Sequence, residues 1–308
     1  DPESAGSYYG LVRAEGGEFI GHLAIAVTNS GHYTGLLKGF SGFQSSFKGS
    51  IQSDYSDSIP TKNVSGELAT IDFKLSKTIW GNYQLSGGFD LFGEAEPHHH
   101  FTLRIAPYSK EARVPNHLSG RYTLRMPARS SSNVVLAGDG FAAGSLWRGG
   151  WLGLYGRSNS GAKFTYGGPL LASRIVPFYV CPRPEAGLET IMGTVWFRDR
   201  KASDLHGLLR YYRKASDSGY YKNGFDESVV LGGSKYTPPS LQELSLNSYP
   251  FNGVNTAAVL SGGSFDGLSY LVTFSYKDGW SKSQMKTPKN LNFVSYGNVS
   301  HKNGWLWG

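Results

Sequence analysis

Thr70-Ile71-Asp72-Phe73-Lys74-Leu75-Ser76 puts an apolar side chain at every second position and a polar one between, the pattern of a half-buried β-strand. A helix would need its apolar residues three and four apart, so this stretch reads as strand whatever surrounds it. The alternation recurs in both directions. Upstream, Phe19, Leu23, Ile25 and Val27 share a face opposite His22, Ala24 and Ala26. Downstream come Phe101, Leu103 and Ile105, then Tyr122, Leu124 and Met126, then Val176, Phe178 and Val180. Ile191, Val195 and Phe197 follow, and Leu268, Tyr270, Val272, Phe274 and Tyr276 carry the pattern toward the end of the chain.

Between these runs lie Asn29-Ser30-Gly31, Gly87-Gly88, Gly149-Gly150, Asn159-Ser160-Gly161, Gly232-Gly233 and Gly262-Gly263. They read as tight turns, because hairpin loops need residues that accept positive φ. The predicted fold class is all-β, with tandem antiparallel β-barrel or β-sandwich modules joined by short Gly-rich hairpins. Barrels and sandwiches both give alternating strands, so the choice between them stays open. One segment departs from the period of two: Leu205, Leu208, Leu209 and Tyr212 fall at helical spacing after Ser203-Asp204. Gly207 weakens a helix there, and the reading is an extended basic linker with a short helix as the alternative. The expected domains are a first β module over 1–115, a second over 116–200, a linker with connecting strands over 201–250, and C-terminal strands over 251–308 that complete the fold.

At 308 residues the chain exceeds the commonest domain size, so more than one core is expected. It contains 41 Gly and 14% aromatic residues, which favours strands and turns. Charged residues at 17% fall below the roughly 25% of ordinary soluble domains. The net charge of +7 attracts any polyanion without regard to its sequence, and as a class signal it is weak. Cys181 is the single cysteine, so no internal disulfide is possible. No apolar run approaches the roughly 18 residues of a membrane-spanning helix. Asp1-Pro2-Glu3 reads as a mature N terminus left by signal cleavage.

A theme of Gly, aromatic strand, Gly-rich turn, strand, turn and strand occurs at least twice. The first copy opens at Gly6-Ser7-Tyr8-Tyr9-Gly10 and the second at Gly120-Arg121-Tyr122. The second continues through Gly138-Asp139-Gly140-Phe141-Ala142, Trp151-Leu152-Gly153 and Gly193-Thr194-Val195-Trp196-Phe197. Further on stand Tyr221-Lys222-Asn223-Gly224-Phe225, Tyr236-Thr237-Pro238-Pro239 and the terminal Asn303-Gly304-Trp305-Leu306-Trp307-Gly308. This order resembles the poorly characterised, repetitive β-rich modules of large exported bacterial proteins. The resemblance implies a secreted or cell-envelope location and no particular chemistry.

Flat aromatic faces stack on sugars and bases, which makes Trp196, Trp147, Trp151, Tyr211 and Tyr212 the candidate ligand-binding residues. Trp196 alternates with Thr194 and Arg198 opposite the apolar face of its strand. Tyr211 and Tyr212 sit within the basic stretch Arg198, Arg200, Lys201, Arg210, Arg213 and Lys214, which more often marks a solvated linker than a polyanion site. His98, His99 and His100 are weak metal candidates, since neighbouring strand residues point to opposite faces and cannot converge on one ion. Asp54 and Asp57, in a serine-rich loop, are weak calcium candidates. No serine-hydrolase elbow, phosphate loop or zinc-protease motif occurs, so no catalytic residue and no cofactor is expected.

The expected function is a non-catalytic structural or assembly protein, secreted or in the cell envelope. Its partners would be other envelope or extracellular subunits or a second copy of itself, with no nucleic acid and no transmembrane helix. A carbohydrate-binding module using exposed Trp and Tyr is the first alternative, and an outer-membrane β-barrel the second.

Overall fold

The computed structural model describes residues 4–40, 44–51, 56–62, 68–91, 99–130, 135–136, 138–182, 189–198, 203–217, 221–236, 256–262, 265–275, 282–286, 296–300 and 305–307. The chain divides into two units, Asp1–Ser234 and Lys235–Gly308.

The first unit opens with β1 (Gly6–Ala14), β2 (Phe19–Val27), β3 (His32–Gly39) and β4 (Gln44–Ser50). It continues with β5 (Ser56–Lys62), β6 (Leu68–Lys77), β7 (Tyr83–Leu91) and β8 (His99–Ile105). These strands form one eight-stranded antiparallel sheet in the order β4-β3-β2-β1-β8-β7-β6-β5. Then follow β9 (Gly120–Met126), a ribbon of β10 (Arg129–Ser130) and β11 (Val135–Leu136), and β12 (Gly140–Leu146), β13 (Trp151–Arg157) and β14 (Lys163–Pro169). β15 (Ile175–Val180), β16 (Glu189–Phe197), β17 (Leu205–Arg213) and β18 (Phe225–Tyr236) complete a second eight-stranded sheet, β14-β13-β12-β9-β18-β17-β16-β15. The two sheets share one topology. Each curls until its edge strands lie side by side, giving a near-closed barrel with a seam between β4 and β5 in the first and between β14 and β15 in the second. The choice left open between barrel and sandwich is thereby decided for the barrel.

Proline marks the seams. Pro60 lies in β5, Pro169 in β14 and Pro177 in β15, and a residue without an N–H cannot extend a ladder on both sides. Across the second seam the buried Tyr166 hydroxyl donates to the Pro177 carbonyl at 3.2 Å, adding to the backbone bond from the Leu171 N–H to the Ile175 carbonyl at the end of the seam.

The alternation read from sequence fills both barrels. Tyr8, Leu23, Ile25, Tyr33, Ile71, Phe73, Leu85 and Leu103 pack inside the first, and Tyr122, Leu124, Val176, Phe178, Ile191 and Leu209 inside the second. Tyr8 and Tyr122, each the third residue of the opening strand of its barrel, both donate their hydroxyl to a carbonyl four residues back, that of Ser4 and of Leu118. Thr28-Asn29-Ser30-Gly31 and Ser158-Asn159-Ser160-Gly161 are hairpin turns as expected, with φ of 81° at Gly31 and 83° at Gly161.

Several expectations change. Gly87-Gly88 and Gly232-Gly233 are not turns; they lie within β7 and β18. A Cβ on Gly87 would stand 1.9 Å from the Asp72 carbonyl oxygen on the neighbouring strand, so this glycine permits the tight curl that closes the barrel. The segment after Ser203 is neither linker nor helix. Leu205–Arg213 pairs with β16 on one side and β18 on the other, which carries the second module past residue 200 to β18. Its leucines follow a period of two: Leu205 and Leu209 are buried, while Leu208 is exposed. Phe19 leaves the interior face assigned to it, because a bulge between Val12 and Arg13 pairs Phe19 with Arg13 and turns its ring outward.

The barrels pack through the outer faces of β1 and β2 against those of β15 and β16. Leu11 and Met192 are buried although neither belongs to a barrel interior. His22 sits between Tyr9 and Tyr179, with ring centroids 6.4 and 6.1 Å away, and the Tyr179 hydroxyl donates to the Gly39 carbonyl at 2.6 Å.

In the second unit, β19 (Thr256–Gly262), β20 (Phe265–Ser275), β21 (Lys282–Lys286), β22 (Tyr296–Ser300) and β23 (Trp305–Trp307) form an antiparallel meander. These strands make a sheet of their own instead of completing a preceding one.

Candidate functional site

A ligand surface emerges on the outside of the second barrel, because the interior is occupied by its own side chains. In β13 the outward positions are Trp151, Gly153, Tyr155 and Arg157, and the hairpin Trp147–Gly150 joins this strand to β12. Trp147 is 55% exposed, Trp151 43%, Tyr155 45% and Phe141, on β12, 42%. The two indoles rest on backbone. A Cβ on Gly153 would lie 2.6 Å from the Trp147 ring, and one on Gly167 of β14 would lie 3.2 Å from the Trp151 ring. Glycine therefore leaves the space that each ring occupies against the neighbouring backbone, and both rings remain substantially exposed. Four large aromatics on one sheet face form a platform suited to stacking on an apolar ring face.

The other candidates are dispersed. Trp196 is on the outer face of β16 as its alternation required, but it is partly buried, stacked 6.2 Å from His206 with Arg198 over its ring. Tyr211 is not a surface residue. It points into the barrel and is fully buried. Tyr212, on the opposite face of the same strand, packs 4.8 Å from Phe40 at the contact between barrels. Two members of the basic stretch are paired, Arg210 in a forked pair with Asp226 and Arg213 with Glu189, while Arg200 and Lys201 lie outside the described residues.

Glu189 opens β16 inside the end of the second barrel and is buried. It accepts hydrogen bonds from Tyr211 at 2.9 Å, from Ser160 at 2.8 and 2.9 Å, from Ser158 at 3.3 Å, and from Arg213. Burial, and then the Glu189 charge, hold the Tyr211 phenol above its ordinary range, so it remains a donor. With both carboxylate oxygens engaged, this network ties three segments together and presents no face to a substrate.

Of the metal candidates, Asp54 and His98 lie outside the described residues. Asp57 is in β5, opposite Phe73. His99 packs against Phe89 at 4.9 Å, while His100 is exposed on the other face of β8. Among the described residues no three His, Cys, Asp or Glu side chains come together. The structure also brings in residues that sequence reasoning passed over, Phe141 and Tyr155. The spacing Trp151-x-Gly153-x-Tyr155 was the available signal, since a period of two places all three on one face.

The first unit is thus a tandem pair of near-closed, eight-stranded antiparallel barrels bearing an aromatic outer surface. No protein-family model and no curated protein matches the chain. Among solved structures, a candidate outer membrane protein from Bacteroides fragilis aligns at 12% identity with a TM-score of 0.23, covering 76% of this chain and 98% of its own. A protein of unknown function from Nostoc punctiforme aligns at 12% identity with a TM-score of 0.22, covering 76% of this chain and 97% of its own. Similarity at that level says nothing of function.

Proposed function

We propose that this chain is a non-catalytic binding module of an exported or envelope protein, and that it holds carbohydrate on the outer face of β12 and β13. The observation that carries the reading is the pair Trp147 and Trp151, each packed beside a glycine that makes room for its ring and each exposed to solvent. The resemblance of its strand pattern to modules of large exported proteins supports the location. Titration of the full chain against a panel of neutral and acidic oligosaccharides tests the proposal. Trp147→Ala and Trp151→Ala are expected to weaken binding by about tenfold each, the usual scale for a central aromatic contact. Gly153→Val should do the same by displacing the Trp147 ring while the barrel still folds. A panel without signal, or full affinity in both tryptophan variants, overturns the reading.

Self-assembly is a second reading, favoured by one feature. Leu208 and Val230 are directly paired across β17 and β18, and both are exposed on the outer face of the second barrel. Native mass measurement of the full chain should then give a multiple of 33.6 kDa that collapses to the single chain in Leu208→Asp. A single-chain mass for the parent at micromolar concentration removes this reading and leaves the first.

A further inference from the structure

A groove runs along the contact between the two barrels, apart from the Trp147–Trp151 platform. β1 pairs with β8 so that Arg13 stands opposite His100 and Tyr9 opposite Arg104, all on the outward face. Facing them is the segment from Leu171 through Pro177, together with Thr194. They enclose a cavity of about 280 Å³ lined by Tyr9, Arg13, Phe19, His100, Arg104 and Pro177 among others. A second cavity, of about 370 Å³, shares Arg104 and is lined by Trp80, Asn82, Tyr83, Gln84 and Ser173. The two are successive parts of one groove.

Three features of this groove point to a ligand. First, the bulge that turned Phe19 outward sets its ring 4.0 Å beneath the Arg13 guanidinium, a pairing regular strand geometry would not give. Second, Arg13 donates to the Gly17 carbonyl at 2.8 Å and Arg104 to the Ser173 hydroxyl at 2.6 Å. Among the described residues neither has a carboxylate partner, and no Asp or Glu lines either cavity, so the charge facing the groove is not offset within it. Third, the hairpin tip at the far end is Ile79-Trp80, 93% and 83% exposed. Among the described residues the equivalent tip positions are Glu15-Gly16, Asn29-Ser30, Arg148-Gly149, Asn159-Ser160 and Ala172-Ser173, so a pair of large apolar side chains at a tip occurs here alone among them.

We propose that this groove binds an acidic saccharide, with its carboxylate or sulfate groups on Arg13 and Arg104 and its sugar faces against Tyr9, Phe19, Tyr83 and Trp80. Guanidinium forks hold such anions by paired, charge-assisted hydrogen bonds. Thr102, Thr194, Gln84 and Asn82 supply the hydroxyl and amide groups that match sugar hydroxyls. A single-stranded nucleic acid would also stack on the rings, but it carries a phosphate at every unit, and the groove offers two arginines. The inference shares the carbohydrate reading above but uses none of its residues.

The test is titration of the full chain with a galacturonate tetramer, a heparin-derived tetrasaccharide, neutral cellotetraose and an oligodeoxythymidylate, at low and moderate salt. One of the two acidic probes is expected to bind, more weakly as salt rises, and which one binds distinguishes carboxylate from sulfate. Arg104→Ala should weaken it by about tenfold or more. Thr102→Glu, which places a negative charge on the exposed strand face, should abolish it. Both residues are exposed, and unchanged thermal unfolding of the variants confirms the fold. These titrations are made in the Trp147→Ala/Trp151→Ala double variant, in which the platform is removed, so that the binding that remains belongs to the groove. The proposal is overturned if neither acidic probe binds, if cellotetraose or the oligonucleotide binds as tightly, or if Arg104→Ala and Thr102→Glu retain the parent affinity.

Discussion

Replacing Glu189 with Ala is expected to lower the stability of the second barrel by about 3–5 kcal/mol, the usual cost of removing one partner from a buried ion pair. The carboxylate is 4% exposed and the Arg213 side chain 14%, so water cannot take over the missing interaction. Without it the Arg213 cation loses its counter-charge, and the Tyr211, Ser158 and Ser160 hydroxyls lose their common acceptor. Glu189→Gln keeps an oxygen for the hydroxyls and should lose roughly half as much. The double change Glu189→Leu with Arg213→Met should recover most of the loss, because an apolar pair replaces a desolvated charged one. Urea unfolding followed by tryptophan fluorescence reads all three. A Glu189→Ala variant within about 1 kcal/mol of the parent would show that the network closes the barrel end without stabilising it.

Acid should act first at His22. Burial between Tyr9 and Tyr179, and then the Lys38 charge, push its pKa down from 6.5 to about 4. As pH falls the unfolded chain takes up this proton first. The contribution of the neutral ring is therefore complete above about pH 6.5, is lost progressively between pH 6.5 and 4, and does not change further below that. Allowing for the part of the ring that water reaches, the loss is about 2 kcal/mol. Burial holds the Tyr179 phenol well above this window. Denaturant unfolding between pH 7 and pH 4 should show the slope, and His22→Gln should remove it. An identical slope in that variant would place the acid sensitivity elsewhere. Because the ring lies between the barrels, the same protonation should loosen their contact before either interior opens.

Much of the fold is legible without coordinates. Ile71, Phe73 and Leu75 point inward because a strand alternates its side chains, and the same rule fills both barrels. The aromatic platform was half legible: Trp147 and Trp151 stood out by type, but Gly153 and Gly167, which seat them, have no side chain to attract notice. The groove was not legible, because it is built from strands distant in sequence and from a bulge that reverses one residue. Tyr211 and Tyr212 were misjudged together for a simpler reason. Reading their segment as linker discarded the alternation that sends one inward to Glu189 and the other outward to Phe40.

Two turns divide what sequence determines from what it leaves to the fold. Thr28-Asn29-Ser30-Gly31 and Ser158-Asn159-Ser160-Gly161 form the same hairpin, each with its two hydroxyls 2.9 Å apart and its glycine at positive φ. That much is local, since it depends on backbone geometry within four residues. The first stands in solvent. In the second, the Asn159 amide donates to the carbonyls of Met126 at 2.9 Å and Gly138 at 2.8 Å, and both serines donate to Glu189. Sequence alone determined most of the strands and their inward faces and these turns, because each rests on interactions a few residues long; Leu205–Arg213 and Phe19 were settled by strand pairing and a bulge. The closure of the sheets, the buried network and the groove were decided by tertiary structure, because each needs groups from segments that meet only when the barrels form.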